Sequence, residues 1–574
     1  MNDAARGQSG GLVPLVVGVT GHRDLPVEEQ ALIKSRIREF FLELRRDYPE
    51  LPLLVMTPLA EGADRIAAVV AHELGIPISI LLPMPLALYE RDFTGDSLVE
   101  FKEMLTLGER VELPLLEGTD RVAVAGSGRV RDLQYAQLGA YLAAHSHILL
   151  AIWDGKPSTS PGGTGHVVKF HQHDVIELIA EGQHRSPIDF TEDESDLVYH
   201  VVCSRREGGP PDTGLAPGDV FWLTRDELKP RTLYMPPRYR LVFQRMAEFS
   251  ADLRRPADER VFYELLPADA LTQCPPGARD IDDLYHRADA LARRYQQHFY
   301  MALRSTSVFA LLAGCCFVLY ADLGQDLLIY PYIFSLALVL VLSWLDRRFA
   351  WRRRFQDYRV LAEGLRVQFY WSVAGVVMEN PSRFSHDSFL RRQDLELGWI
   401  RNVMRFAGRR ADSVEHETSS EAIELVSRRW VEDQRDYYST KAQQLVSRSR
   451  FTGAIGLISF GVVLAAGILL AFAADRMSDG TGDLLIALMG LFPFVFAVRQ
   501  NYALRQAERE LVAQYQHNRR IFSNAARLLQ AASSLAAQQE ILRALGEAAL
   551  EENGQWILRQ RRRPATVSES AGLG

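Results

Sequence analysis

The stretch His147-Ile-Leu-Leu-Ala-Ile-Trp153-Asp154-Gly155, with Pro161-Gly162-Gly163-Thr164-Gly165-His166-Val167-Val168 behind it, decides how the N-terminal part of this chain folds. An unbroken apolar run ending in Asp-Gly reads as a strand buried on both faces. The glycine-rich turn behind it opens a helix. Glycines there permit unusual backbone angles, remove side-chain bulk and aim amides at a bound group, which is what a phosphate cradle needs. Trp153, Asp154, Gly155, Gly162, Gly163, Thr164 and Gly165 are therefore candidate ligand-binding residues. A flexible surface loop is the competing reading, and the flanking strand and helix weigh against it.

Working outward, the same alternation recurs. Apolar runs at Leu12–Val19, Leu51–Met56, Ile78–Leu82 and Leu197–Cys203 read as strands, and Glu28–Tyr48, Ala63–Leu74 and Leu133–Ala144 as helices. Strands of this kind alternating with helices predict an α/β, doubly wound, mainly parallel Rossmann-like sheet over residues 1–205. In such a sheet the loops at the carboxyl ends of neighbouring strands share one crevice. The first strand ends in Gly18-Val-Thr20-Gly21-His22-Arg23-Asp24, which adds Gly18, Thr20, Gly21, His22 and Arg23 as candidates. The second runs into Glu61-Gly62-Ala63-Asp64-Arg65, where Glu61, Gly62, Asp64 and Arg65 are candidates for ribose or phosphate contacts. The alternative is that Asp64 and Arg65 only cap and charge a helix start. Were the site catalytic, Glu61, Asp64 and Asp154 are its available carboxylates.

Behind residue 205 the sequence changes character. Residues 206–285, rich in Pro, Gly and charge, read as a connector. Two apolar blocks follow, Ser305–Ala321 and Leu327–Leu345, and two more later, Phe451–Ala474 and Leu484–Val498. Each is near the length of helix that crosses ~30 Å of hydrocarbon, the last being short and interrupted by Pro493. The result is an all-α membrane region of four spans in two hairpins with long flanking helices: one module at 286–380, a linker at 381–418, and a second module at 419–574. The flanks carry Arg293, Arg294, Arg304, Arg347, Arg348 and Arg352–Arg354 around the first hairpin. Around the second lie Lys441, Arg448, Arg450, Arg499, Arg505 and Arg509, whereas the hairpin loops hold only Arg476. This bias predicts a cytoplasmic N- and C-terminus, as does the lack of a secretory signal.

The hairpins look duplicated, each entered by an aromatic-bearing polar helix (Leu291–Tyr300; Trp430–Leu445) and left by a basic one carrying Tyr358 and Arg359, or Tyr515, Arg519 and Phe522. No span has an internal charge, which argues against a transporter. Ala310 with Gly314, and Gly461 with Ala465, offer small-residue surfaces for packing within one bundle or between subunits, as do Gly453 and Gly456. The arginine runs Arg352–Arg354 and Arg561–Arg563 are available to anionic lipid or serve only topology. Net charge is −7, which excludes a nucleic-acid-coating role. Four cysteines with no CxxC spacing give no metal or disulfide signal.

Gly18–Asp24, Glu61–Arg65, Trp153–Gly155 and Pro161–Gly165 resemble the SLOG superfamily, the Rossmann-like group that includes LOG and DprA-like proteins. The two hairpin modules resemble SLATT, a two-transmembrane effector module found beside SLOG domains. The resemblance implies a bacterial inner-membrane, oligomeric effector of antiviral conflict systems, with a nucleotide-derived ligand and no certain cofactor. In LOG hydrolases the glycine motif continues Pro-Gly-Gly-x-Gly-Thr-x-x-Glu; here His166 replaces the threonine and Lys169 the glutamate. Loss of that acid implies sensing rather than cleavage. A membrane-tethered nucleotide-processing hydrolase and a ligand-free scaffold stay open as alternatives.

Overall fold

The structure, a computed structural model, describes residues 12–116, 118–157, 162–173, 197–224, 231–255, 264–376, 395–411, 419–473, 477–506 and 508–561. Pro161, Arg476, Arg562 and Arg563 lie outside them. Eight strands form one mixed sheet: β1 Leu15–Gly21, β2 Leu53–Thr57, β3 Ile78–Leu82, β4 Glu109–Glu112, β5 Ile148–Trp153, β6 Val198–Val202, β7 Val220–Leu223 and β8 Arg231–Thr232. Their order is β4-β3-β2-β1-β5-β6-β7-β8. The pairings from β4 to β6 are parallel, whereas β6/β7 and β7/β8 are antiparallel. The order reverses between β1 and β5, so the chain progresses outward in both directions from that pair.

The helices that accompany the sheet are α1 Val27–Asp47, α2 Ala63–Glu73, α3 Leu86–Tyr89, α4 Gly95–Met104, α5 Arg121–Ala125, α6 Arg129–His145 and α7 Thr164–His173. They cover both faces, because every central strand is apolar on both. On one face Leu138, Tyr141 and Leu142 of α6, with Val167 and Val168 of α7, pack on Val16, Met56, Leu149, Ala151 and Val198. On the other, Phe40 of α1 stacks on Tyr199 of β6 at 4.2 Å between ring centroids and tilts against Trp222 of β7.

After β8 come α8 Pro237–Leu253, α9 Ala268–Gln273, α10 Pro276–Leu323, α11 Ile329–Phe349, α12 Trp351–Val373, α13 Gly398–Gly408 and α14 Ser420–Val426. The last four are α15 Asp433–Ala473, α16 Asp479–Arg505, α17 Glu508–Ala531 and α18 Leu535–Arg561. The chain divides into two compact units. The first holds Met1–Ala288, Val360–Ile423 and Leu542–Gly574; the second holds Asp289–Arg359 and Glu424–Ile541.

In the first unit the sheet does not end at residue 205. β7 and β8 arise from the stretch expected to be a connector; β7 joins the sheet beside β6 with Trp222 and Leu223 buried, and β8 forms the edge. The stretch expected to be a linker, 381–418, contains α13, buried at every residue except Phe406. This helix seats on the amino end of the β1/β5 pair. His147 is fully enclosed: its Nδ1 accepts the Val16 N–H at 3.0 Å, leaving Nε2–H to donate to Asn402 O at 2.9 Å. Those two bonds fix the neutral tautomer. His145 Nδ1 meets Arg405 O at 3.1 Å, and Gln368 donates to Met404 O. Burial, reinforced by the nearby Arg405 charge, pushes the His147 pKa down to about 3.

Among the described residues four helices are long and apolar enough to cross a membrane: Pro276–Asp322, Asp326–Phe349, Ser420–Ala473 and Gly480–Ala531. The first begins in the α/β unit and the fourth runs on through α17. The short block Leu484–Val498 lies within the 27-residue helix α16, which continues through Pro493. The same device recurs in both hairpins. Tyr295 before the first packs edge-on against Tyr358 after it, and Tyr437 and Tyr438 before the second meet Tyr515. Arg354 adds a 2.8 Å bond to Tyr295 OH. Of the small residues, Gly314 lies flush on the Phe494 ring and Gly456 on Phe496, so both serve packing within this chain. Gly453 and Gly461 face open space.

Two outcomes follow from these contacts. His147 titrates near 6.5 when unfolded and near 3 when folded, so the unfolded state binds more protons and stability falls as pH drops from about 6.5 toward 3. Acid-induced unfolding of the detergent-solubilised chain, followed by tryptophan fluorescence, will be shallower in His147→Gln than in the parent. Gly314→Leu, which must displace the Phe494 ring, will lower the thermal midpoint of the membrane helices by several degrees, consistent with overpacking of roughly 1–3 kcal/mol.

Candidate functional site

Three strand tips, of β1, β2 and β5, meet at the carboxyl edge of the sheet. Gly21 ends β1 with no room for a side chain, since a Cβ there would overlap Ala63 Cβ and press on Ile152. Gly62, at φ +78°, would drive a Cβ to 2.5 Å from Arg23 O and 2.6 Å from His22 O. These two absences let the start of α2 dock directly on the β1 tip. There Ala63 N–H donates to His22 O at 3.1 Å, and His22 N–H donates to Ile152 O of β5 at 3.1 Å. His22 thereby ties the three tips together through its backbone.

Its side chain does similar work. His22 Nε2 lies 3.1 Å from Asp154 Oδ1, at ion-pair distance but not aligned as a hydrogen bond. Burial lowers the His22 pKa, and Asp154 opposes that shift. Asp154 is itself enclosed, accepts Lys156 N–H at 3.1 Å, and receives Asp212 N–H on its carbonyl. Gly155, at φ +81°, sits under Leu215, Asp212 and His200. Arg205 pairs with Asp24 at 3.0 Å. Arg205 and the first part of the stretch read as connector, residues 206–215, thus roof the β5 tip.

On the β2 side the loop from Thr57 to Gly62 is held under strain. Leu59 is buried with φ +57°, a conformation that costs a non-glycine residue about 1–3 kcal/mol. Thr57 Oγ1 accepts its N–H at 3.2 Å and Tyr89 OH caps Pro58 O at 3.1 Å. Asp64 accepts the Ala60 N–H. Burial pushes the Asp64 pKa up to about 8 against the attraction of Arg23, so the carboxyl is mostly neutral at pH 7. Its Oδ1 is buried without a hydrogen-bond partner.

Arg23 is exposed and, among the described residues, has no acidic partner within ion-pair distance. Its charge reaches Asp64, Tyr89 and Tyr135. Tyr135, on α6, bonds Asp92, which Arg131 also holds at 2.6 Å. Gly162, at φ +70°, lies over Tyr135 with its Cβ position 2.7 Å from Tyr135 Cβ. The glycine turn before α7 therefore reaches the same neighbourhood through Tyr135. Gly163 O begins α7 by accepting the N–H groups of His166 and Val167; Thr164 and Gly165 are buried in its first turn.

Other candidates are placed elsewhere. Gly18 lies mid-strand, where Ser146 and Leu142 fill the space its side chain would take, so its smallness serves packing. Arg65 is nearly buried and committed to Glu100, Leu59 O and the Phe93 face. Glu61 has one oxygen held by Ser97. Trp153 spends its indole N–H on Lys156 O at 3.0 Å, and Thr20 is buried beside β5. Lys169 is exposed on α7. Tyr89, Asp92, Arg131, Tyr135 and His200 were invisible as a motif; the i, i+4 spacing of Arg131 and Tyr135 on one helix was the only signal. No group of three or more potential metal ligands occurs among the described residues. Comparison with protein-family models, curated proteins and solved structures finds no match to this chain.

Because Asp154 raises the His22 pKa, Asp154→Asn will lower the imidazole titration midpoint further, as read by histidine NMR. Gly62→Val will destabilise the α/β unit by about 1–3 kcal/mol, since it meets both an unfavourable φ and two backbone oxygens.

Proposed function

We propose that this chain is a membrane-anchored receptor for a phosphorylated small molecule of nucleotide type, bound at the carboxyl edge of a Rossmann-like, doubly wound sheet between β1, β2 and β5. Occupancy would bias the packing of the membrane hairpins and permeabilise the bilayer. The carrying observation is Arg23, an exposed cation without an acidic partner among the described residues, standing where the β1 tip meets the start of α2. An anion there gains both the guanidinium and the positive end of a helix dipole. The strand-order reversal at β1/β5 supports the location, because crevices form outside such reversals. The resemblance to SLOG and SLATT supports the coupling of sensor to membrane, in a bacterial inner membrane. The lysine and arginine bias supports cytoplasmic termini.

Asp64 favours a second reading. A buried carboxyl held protonated near neutral pH is the form a general acid takes, and the His22–Asp154 pair stands at the neighbouring β1 and β5 tips, so slow hydrolysis of the bound nucleotide is compatible with the site.

Isothermal titration of the full chain in detergent with a panel of mono- and dinucleotides will give heat with at least one member, lost in Arg23→Glu. Vesicles containing the chain will leak only with that ligand. Driving the switch from about 1:99 to 99:1 needs ~10⁴-fold tighter binding to the open state. Absence of heat across the panel leaves a scaffold. Product formation lost in Asp154→Asn or Glu61→Gln selects the hydrolase.

A further inference from the structure

Ala350 joins the second span of the first hairpin to the helix behind it, closing α11 at φ +50° and ψ +40°. Ala350 and Leu59 are the two non-glycine residues at positive φ among the described residues. Glycine takes this left-handed conformation freely, whereas the alanine Cβ opposes it. The local sequence supplies no breaker: from Tyr332 to Glu363 there is neither glycine nor proline. Alanine is itself the best of the helix formers. With Ala350 at helical angles, α11 and α12 would run as one helix.

Two contacts hold the joint, and a continuous helix permits neither. Asp346 accepts the Arg352 N–H across it. On a straight helix that N–H would be spent on the Arg348 carbonyl, one turn back. The rings of Phe349 and Trp351 stack, with 5.7 Å between centroids and 9° between planes. Residues two apart on a helix do not face each other. Beyond the joint α12 is anchored to α10, through Tyr358 on Tyr295 and Phe355 on Phe299. By contrast α11 has a single buried residue, Ser335. The second hairpin breaks at the matching place: α16 ends at Arg505 and α17 begins at Glu508. In the sequence Ala507 precedes Tyr515 by as many residues as Ala350 precedes Tyr358.

We propose that Ala350 is the joint of a two-state switch in the first hairpin. With the Asp346 and Phe349 clasps closed, α11 and α12 are separate helices. With the clasps open they merge into one, and the sparsely held α11 swings as an arm about the anchored α12. Backbone strain at Ala350 favours the merged form and the two clasps favour the jointed one, and such opposition is what a bistable element requires. The switch is a property of the hairpin and stands whatever the α/β unit binds.

Hydrogen exchange of the full chain in detergent, read by mass spectrometry, separates the two forms. In the jointed form the Trp351 and Arg353 amides lie in the first turn of α12, where no carbonyl one turn back receives them; in the merged helix each has one. The double change Asp346→Ala and Phe349→Ala opens both clasps. After correction for intrinsic rates it will slow exchange at these amides about threefold or more, on the scale of losing helix caps. Adding Ala350→Gly, which removes the strain and so restores the joint, will return exchange to near the parent rate. Clasps that only tidy a fixed chain bend predict the reverse, exchange at least as fast in the double variant as in the parent. That result, or slowed exchange that Ala350→Gly leaves in place, would overturn the proposal.

Discussion

The α/β unit depends on the docking of the α2 start onto the β1 tip. One hydrogen bond, Ala63 N–H to His22 O, marks a contact possible only because Gly21 and Gly62 lack Cβ atoms. Everything at the carboxyl edge takes its position from this contact. It fixes His22, whose backbone continues to β5 and whose ring faces Asp154. It sets Arg23 outward beside the first turn of a helix, and draws the Thr57–Gly62 loop into a bend that leaves Leu59 at a positive φ. A strained loop persists only where its surroundings over-determine it, and here Tyr89, Thr57, Arg65 and Asp64 each hold part of its backbone.

The membrane-type unit obeys a different constraint. Its long helices present bare leucine, isoleucine and phenylalanine, Phe472 at 86% exposure among them, that no described residue covers. Such surfaces are compatible with hydrocarbon and not with water. Between the helices, glycine works as it does at the sheet edge: Gly314 and Gly456 let the rings of Phe494 and Phe496 lie against backbone. Outside the apolar zone, paired tyrosines lock the entry and exit helices of each hairpin.

The sequence made legible whatever was written as a long run of one kind. The five buried strands and four apolar helices were continuous enough to read, as was the clustering of glycines at strand ends. β4 was lost because an edge strand spells Glu-Arg-Val-Glu, with one buried residue and three solvated ones. β7 was lost because its four residues sit among prolines and glycines, and its burial comes from neighbours remote in sequence. The same applies to α13, which lay within the stretch expected to be a linker although even its Arg401 and Arg405 are buried. Within the site, glycines betray close approach without saying to what: Gly21 and Gly62 meet at the tips, whereas Gly18 only makes way for Ser146. Arg65 looked like a ligand group because its partners, Glu100 and Phe93, belong to a segment with no readable pattern.

The route of the chain through its two units constrains where it can be cut. The strut α13 that caps His145 and His147 is encoded after the first hairpin, and the segment from Leu542 onward rejoins the α/β unit after the second. A gene shortened before residue 398 would leave buried imidazoles and the amino end of the central strands facing water. The α/β unit is therefore assembled from three separate stretches of the chain, and its N-terminal part alone lacks the pieces that close it.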